Sequence, residues 1–413
     1  MVITGTGTTG TTTIIGKTGL SVCFLDLGSF IFFSSRFPDI MMIYYNEMYY
    51  SYQECYKNKK KSPGAKEFLF DYIRGVMRLT DEINNRTYQP KPSTVFIITD
   101  PKIREVFAAD FRDRIVHHLV IYELLPLFQK YFIPECFSCM PGRGNLYGVQ
   151  VLASYMDLCQ PDWYVMKMDV SSFFMNIRKS ILARNIVKFI QDNYQDPRKK
   201  DDLVWLCNGL AYHDPTVGCI WKGDLDLVKL LPPEKSLFYL PLDKGLPIGN
   251  YSSQMFANFY MTTLDYYIKD FLGIPFYGRY VDDLVMYGPK EQLLWAASLI
   301  RNWAKENLDL TFSLDKFYIQ PIHHGVKFLG SVIKPGRIYC GNRLRGELEK
   351  KLHKLIPSTV DPGRALSSFN SYLGLMKHYS SYNIRKEILS NLPMGWNLLF
   401  EPDNEFTKLS PYK

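Results

Sequence analysis

Hydrophobic positions fall into short runs whose spacing switches between helical and strand-like several times along the chain. Leu69, Ile73, Val76, Thr80 and Ile83 recur at a helical period, and Asn84-Asn85 followed by Pro90 stops the helix they predict. A β-rich run covers 95–98, and 115–128 reads as a helix that buries much of its surface. Residues 163–168 form a strand-like run ending at Asp169, followed by a helix over 180–194. An irregular insert over 196–244 is rich in Pro, Gly and charge. A helix is then predicted over 252–271, and two β-rich arms, 276–280 and 284–287, surround a tight tip. A helix over 292–306 and strands near 310–312 and 326–333 complete the pattern. The chain beyond reads as helical and basic, with 13 Lys and Arg against 7 Asp and Glu from residue 331 on. No internal repeat is visible.

Composition narrows the class without naming it. A chain of 413 residues, 46% hydrophobic and 22% charged, suits two or three packed subdomains and excludes wholesale disorder, collagen or a disulfide scaffold. A net charge of +8 is compatible with a polyanionic partner. The 29 tyrosines offer flat faces for bases, although a tyrosine-rich core reads equally well. Tyr44, Tyr45, Tyr49, Tyr50, Tyr52 and Tyr56 lead into Lys59-Lys60-Lys61, which suits a nucleic-acid contact or a solvated helix end. The eight cysteines are scattered and no signal-peptide pattern opens the chain, so a cytoplasmic location is the default. Cys136 and Cys139 lack a second Cys or His pair at zinc spacing, and His323-His324 lack an acidic or Cys partner.

Residues 1–41 do not conform to the rest. Residues 1–19 are almost all Thr, Gly and Ile, and Gly16-Lys17-Thr18 fails as a phosphate loop because Thr11 stands where a glycine is required. The apolar run 20–33 is interrupted by Asp26 and is too short to span a bilayer. An extended or misassigned start is expected, with the functional protein beginning near Met41 or Met42; a weak peripheral anchor is the other reading, and no stable membrane association is expected.

The chemistry lies in the acids. Tyr280-Val281-Asp282-Asp283 sits between the two arms of a hairpin, where two adjacent carboxylates repel each other and call for a divalent cation. Asp169 ends a second strand, and aimed at the hairpin it completes a carboxylate cluster able to hold two Mg²⁺ ions. Two such ions serve nucleotidyl transfer: one lowers the pKa of an attacking 3′-hydroxyl, and both stabilise charge on the phosphate.

The ordered series of the Asp169 strand, Gly249 with Ser253 and Gln254, Tyr280-Val281-Asp282-Asp283, Lys316, and Phe328-Leu329-Gly330 resembles that of a reverse transcriptase. Gly245-Leu246-Pro247-Ile248-Gly249-Asn250-Tyr251-Ser252-Ser253-Gln254 is most similar to the enzymes of diversity-generating retroelements; most reverse transcriptases carry Gln at 248 and Pro at 254. Lys102-Ile103-Arg104, the stretch from Phe111 to His118, Asn370-Ser371-Tyr372-Leu373-Gly374 and His378-Tyr379 fit the same subgroup. Phage-defence reverse transcriptases share much of this.

The resemblance implies an α+β right-hand polymerase with fingers, a palm of antiparallel sheet plus helices, and a helical thumb. The implied division is an N-terminal segment and fingers over 42–160, palm over 161–182, a helix and insert over 183–244, palm with hairpin and primer grip over 245–335, and thumb over 336–413. Asp169, Asp282 and Asp283 are implied as catalytic, with Val170 joining them as metal ligands to two Mg²⁺ ions, for which Mn²⁺ substitutes. Lys102, Arg104, Phe174, Ile248, Gly249, Gln254 and Lys316 are implied at the dNTP, and Phe328, Leu329 and Gly330 as the primer grip. A ring at Phe174 would clash with a ribose 2′-hydroxyl, with Phe173 as the core ring, and Ile248 cannot supply the amide hydrogen bonds of a glutamine, which predicts error-prone synthesis. The implied partners are an RNA template, a DNA or RNA primer, dNTPs and a small basic accessory protein. A defence enzyme copying a noncoding RNA and a non-catalytic, maturase-like RNA-binding protein are the alternatives; the intact acidic triad argues against the second.

Overall fold

The computed structural model describes residues 44–100 and 102–412, with the backbone of three short antiparallel strands, Thr12–Ile15, Ser21–Leu25 and Ser29–Phe32. The expectations of a displaced start and of no phosphate loop at Gly16 lie outside the described residues, and of the run 20–33 weighed as a peripheral anchor only the strand backbone is described. Among the described residues no helix is long and apolar enough to cross a membrane. The chain divides into two units, Met1–Gln89 and Pro90–Lys413.

In the first unit, Ser62 accepts a hydrogen bond from the Ala65 N–H and, with Pro63 next, starts the helix Pro63–Phe70. The expected single apolar face is broken at Asp71, where a new helix, Tyr72–Asn84, begins. Leu69 and Ile73 are therefore 42% and 50% exposed, while Val76, Thr80 and Ile83 are buried as their spacing requires. Tyr52, on helix Tyr45–Lys57, stacks on Tyr72 at 5.3 Å and on Tyr56 at 5.8 Å. Burial, reinforced by Tyr56, Tyr72 and Tyr49, pushes its hydroxyl up to about 12. Of the two uses open to these tyrosines, Tyr52 is spent on packing; Tyr50 remains exposed.

The second unit begins with a small sheet. Thr94–Ile98 pairs antiparallel with Arg104–Ala108 and parallel with Ile220–Trp221. Asp110 accepts a hydrogen bond from the Arg112 N–H at 3.1 Å, which starts the helix Phe111–Tyr131 earlier than the apolar pattern alone predicts. The expected irregular insert is corrected in its first third. Asp196 caps and Pro197 opens a 16-residue helix, Pro197–Tyr212, whose apolar face is Leu203, Leu206, Cys207 and Leu210. A Pro at the first helical position starts a helix rather than breaking it.

Four antiparallel strands form the central sheet, in the order Tyr318–Pro321, Tyr164–Asp169, Asp283–Gly288, Tyr277–Tyr280. The first of these lies outside the predicted strands. The strand expected near 310–312 is reduced to a single bridge between Phe312 and Val170. Period-two alternation puts Val165, Lys167 and Asp169 on one face and Met166 and Met168 on the other. Val165, Val285 and Tyr287 join Val149, Leu152 and Met156 of helix Asn145–Leu158 in a common core. That helix was missed because its apolar positions follow no clean stripe. Met166, Met168, Leu284 and Met286 are buried on the opposite face, and helix Lys290–Leu308 packs on the sheet. The apolar stretch 326–333 is not one strand but a hairpin, Val326–Phe328 with Ser331–Lys334, extended by Arg337–Cys340. Helices Asn342–Lys354, Pro362–Met376 and Tyr382–Ser390 then close over Trp396, whose indole N–H donates to the Leu355 carbonyl at 3.0 Å.

Candidate active site

The register of the central sheet sets Asp169 directly opposite Asp283, and the tight turn Val281-Asp282 lies between Tyr280 and Asp283. Val281 sits at φ +58°, a left-handed conformation that a β-branched residue adopts at a cost of about 1–3 kcal/mol. The backbone of each acid is fixed. The Val170 N–H donates to the Asp282 carbonyl at 3.2 Å, and the Ser313 N–H donates to the Asp169 carbonyl at 2.8 Å. Val170 itself has a buried side chain, so its backbone carbonyl is all it has to offer a metal.

Burial pushes Asp282 up to about 6, with the charges of Asp169 and Asp283 adding to the effect. Burial likewise raises Asp283 to about 6, against the pull of Lys167. Lys316 pairs with Asp169, and the Lys167 ammonium lies 2.9 Å from Asp283 Oδ2. As the side chains stand, no three acids, histidines or cysteines among the described residues close round a common point tightly enough to hold a metal ion. Two of the carboxylates are turned to lysines instead. The donor set nonetheless fits a hard divalent cation, because Asp283 Oδ1 is buried and accepts no hydrogen bond while Asp282 keeps a net burial penalty that Lys316 offsets only in part.

Phe173 is buried and Phe174 half-buried. The Leu246 N–H donates to the Phe174 carbonyl at 2.8 Å, which ties Phe174 to the glycine-containing segment. That segment continues along Arg104–Ala108: the Phe107 N–H donates to the Ile248 carbonyl at 2.9 Å. Gly249 follows at φ +125°, and a Cβ there would lie 2.7 Å from the Phe107 carbonyl oxygen. The buried Asn250 accepts from the Ala109 N–H at 3.3 Å, and His117 Nδ1 lies 2.6 Å from Ser252 Oγ. Burial, with His213, His118 and Arg114 nearby, pushes His117 down to about 3, so it braces two helices as a neutral ring. Arg104 and Lys102 are exposed, with no ion-pair partner among the described residues. Arg112 lies 3.4 Å from the buried Asp113, and Arg114 donates to the Ala109 carbonyl at 2.9 Å, so both brace their own helix end. Gln254 is exposed and accepts a weak contact from the Cys139 thiol at 3.4 Å.

Phe328, Leu329 and Gly330 form the turn of their hairpin. Leu329 at φ +48° and Gly330 at φ +79° occupy its two central positions, the mirror-image turn geometry that suits strand twist. Lys167 joins this hairpin to the acids. Its ammonium donates to the Lys327 carbonyl at 2.8 Å and lies 5.8 Å from the centre of the Phe328 ring. Sequence reading passed over Lys167, although its place two residues before Asp169 on one strand face was available. The buried polar groups behind the hairpin, Arg279 and Asp265 foremost, carry no comparable sequence signal.

Residues 90–333 match the family model described as reverse transcriptase (RNA-dependent DNA polymerase). Among solved structures, the chain is similar to a telomerase from Candida albicans in complex with a fragment of telomeric RNA, at 11% identity and TM-score 0.45, covering 74% of this chain. It is also similar to the RNA-dependent RNA polymerase of a human picorbirnavirus, at 14% identity and TM-score 0.49, again over 74% of this chain. The chain spans 58% and 57% of the lengths of those two chains. The family match covers more than half of the chain and takes in all three acids, the glycine-containing segment and the turn at Phe328-Leu329-Gly330: the protein belongs to the reverse transcriptase family.

Proposed function

We propose that the protein is an RNA-directed DNA polymerase that extends a DNA or RNA primer on an RNA template. The observation that carries this reading is the register that faces Asp169 with Asp283 and sets Asp282 at the turn between them. Two bound Mg²⁺ ions, or Mn²⁺ in their place, would activate the primer 3′-hydroxyl and offset charge on the nucleotide phosphates. Asp169, Asp282, Asp283 and the Val170 carbonyl are the groups to hold them. Lys316 would act at the departing pyrophosphate, where a cation neutralises charge or gives up a proton. Lys102 and Arg104 would grip the triphosphate, with the arginine offering paired donors. Phe174 would exclude ribose, and Gly249 would let the backbone approach the nucleotide, with Gln254 at the same site. Phe328, Leu329 and Gly330 would hold the primer end.

The finer reading is a mutagenic enzyme of the diversity-generating type, working with a small basic accessory protein. Ile248 supports it, because an aliphatic side chain leaves the nucleotide without the amide contacts of a glutamine. Primer extension on RNA with dNTPs and Mg²⁺, with Asp282→Asn in parallel, tests both levels. Full-length cDNA with errors concentrated opposite template adenines, suppressed by Ile248→Gln, is the expected result. Accurate or repetitive cDNA would move the role to phage defence. Absence of synthesis with RNA binding intact in Asp282→Asn would leave a binding protein.

A further inference from the structure

The turn that carries Asp282 has no intrinsic reason to keep its shape, since Val281 stands in a left-handed conformation. Behind it lies a fully buried arginine. Arg279 makes a two-pronged ion pair with Asp265, Nε to Oδ1 at 2.7 Å and Nη2 to Oδ2 at 2.6 Å, and both side chains are 0% exposed. The remaining arm of the guanidinium, Nη1, donates to the Val281 carbonyl at 2.9 Å and to Asn258 Oδ1 at 3.2 Å. From the other side, the Val281 N–H donates to Ser138 Oγ at 3.2 Å, and that hydroxyl donates in turn to Asn258 Oδ1 at 2.8 Å. Tyr277 Oη donates to Asp265 Oδ1 at 2.6 Å and fixes the acid. Both backbone polar groups of the strained residue are thus held by one closed network anchored on helix Tyr251–Tyr266.

A buried ion pair of this kind is weak evidence of stabilisation, because desolvating two charges costs about as much as their attraction returns. What the network supplies is geometry. We propose that Arg279 is a positioning residue for catalysis, which with Asp265, Asn258 and Ser138 clamps the Val281 peptide and so aims the Asp282 carboxylate. The role rests on the polymerase reading above. Lysine in place of Arg279 would keep the charge but lack the planar fork needed to hold Asp265 and the Val281 carbonyl together.

The test is rapid-quench primer extension by the full chain on an RNA template with Mg²⁺ and saturating dNTP, recording burst rate and burst amplitude separately. A positioning role lowers the rate per active molecule; a purely structural one lowers the active fraction and leaves the rate alone. Arg279→Lys should lower the burst rate about 100-fold, the scale of a 1 Å misplacement, with dNTP KM and burst amplitude unchanged. Ser138→Ala removes only one hydroxyl and should lower the rate about tenfold. The double variant should lose less than the product of the two, because both act on one turn. Amplitude loss at unchanged rate, or fully multiplicative losses, would overturn the proposal. Should Arg279→Lys fail to fold, Ser138→Ala decides alone, and a wild-type burst rate there sinks the idea. A wild-type chain that extends no primer refutes the polymerase reading, and this role with it.

Discussion

Replacing Asp282, the acid proposed to hold the metal ions, should make the protein more stable. Asp282 stands at about 6 in the fold against an ordinary 3.8, chiefly through burial and then through Asp169 and Asp283. A carboxyl raised in the folded state binds more protons folded than unfolded between those two values, so stability falls as pH rises through that window. Above it the penalty is fully present, and the gap between 3.8 and about 6 corresponds to about 3 kcal/mol. Asp283, raised to about 6 as well, shares the penalty with Asp282, which leaves about 1–3 kcal/mol for removing one of them. Asp282→Asn keeps the shape and deletes the charge. In EDTA at pH 7.5 its Tm should lie roughly 2–5 °C above wild type. The difference should shrink steadily as pH falls and be mostly gone near pH 4, where folded Asp282 is protonated and the unfolded carboxyl, at 3.8, is about half so. Added Mg²⁺ should raise the wild-type Tm more than that of the variant and close or reverse the gap. Thermal melts over pH 4 to 8, with and without Mg²⁺, check this. A variant that melts at or below wild type at pH 7.5 in EDTA, or that keeps the wild-type pH slope, would refute the account of burial as the dominant influence on Asp282.

Three further outcomes are expected. Gly249→Ala must hold φ +125° with a Cβ against the Phe107 carbonyl, which should destabilise the protein by about 2–5 kcal/mol in denaturant melts and raise dNTP KM. Phe174→Val should let ribonucleotides in, narrowing dNTP over rNTP selectivity by about 10- to 100-fold in single-nucleotide extension. Arg104→Ala should raise dNTP KM by about 10- to 100-fold with a smaller effect on kcat, and Arg104→Lys should recover part of it, since charge-assisted hydrogen bonds are worth about 1.5–3 kcal/mol.

The elements nearest the chemistry were the most legible. The two arms around Tyr280-Val281-Asp282-Asp283 and the strand ending at Asp169 stand out as near-continuous apolar, β-rich runs, because one face meets helix Asn145–Leu158 and the other is buried as well. Tyr318–Pro321 was not legible, being a half-buried edge strand of four residues with no apolar alternation. The helix Pro197–Tyr212 was hidden by its polar first turn, Pro197-Arg198-Lys199-Lys200, which resembles a loop until Asp196 is seen to cap it. In the site, acids could be named from the sequence because adjacent carboxylates at a turn are unusual. Lys167 was obscured by its distance in sequence from Lys327 and Phe328, the groups that give it a role. Arg279 and Asp265 were obscured for a related reason: a salt bridge closed between a strand and the helix before it leaves no periodic trace.

The small sheet beneath the glycine-containing segment has a practical consequence. Glu105 is 1% exposed, and its carboxylate accepts from the Ser236 hydroxyl at 2.8 Å and from the Leu237 N–H at 3.0 Å. Upstream, Trp221 is paired with Val95, and its ring stacks on Phe238 at 5.3 Å. The chain between Lys222 and Lys235 thus leaves and rejoins the same sheet at two fixed points, and Leu225 and Leu230 within it are largely exposed. The cost of closing a loop grows only slowly with its length. This stretch is therefore a permissive place to splice in a fluorophore peptide or an affinity tag: such a graft would travel with the strand that carries Arg104 and leave both anchor points intact.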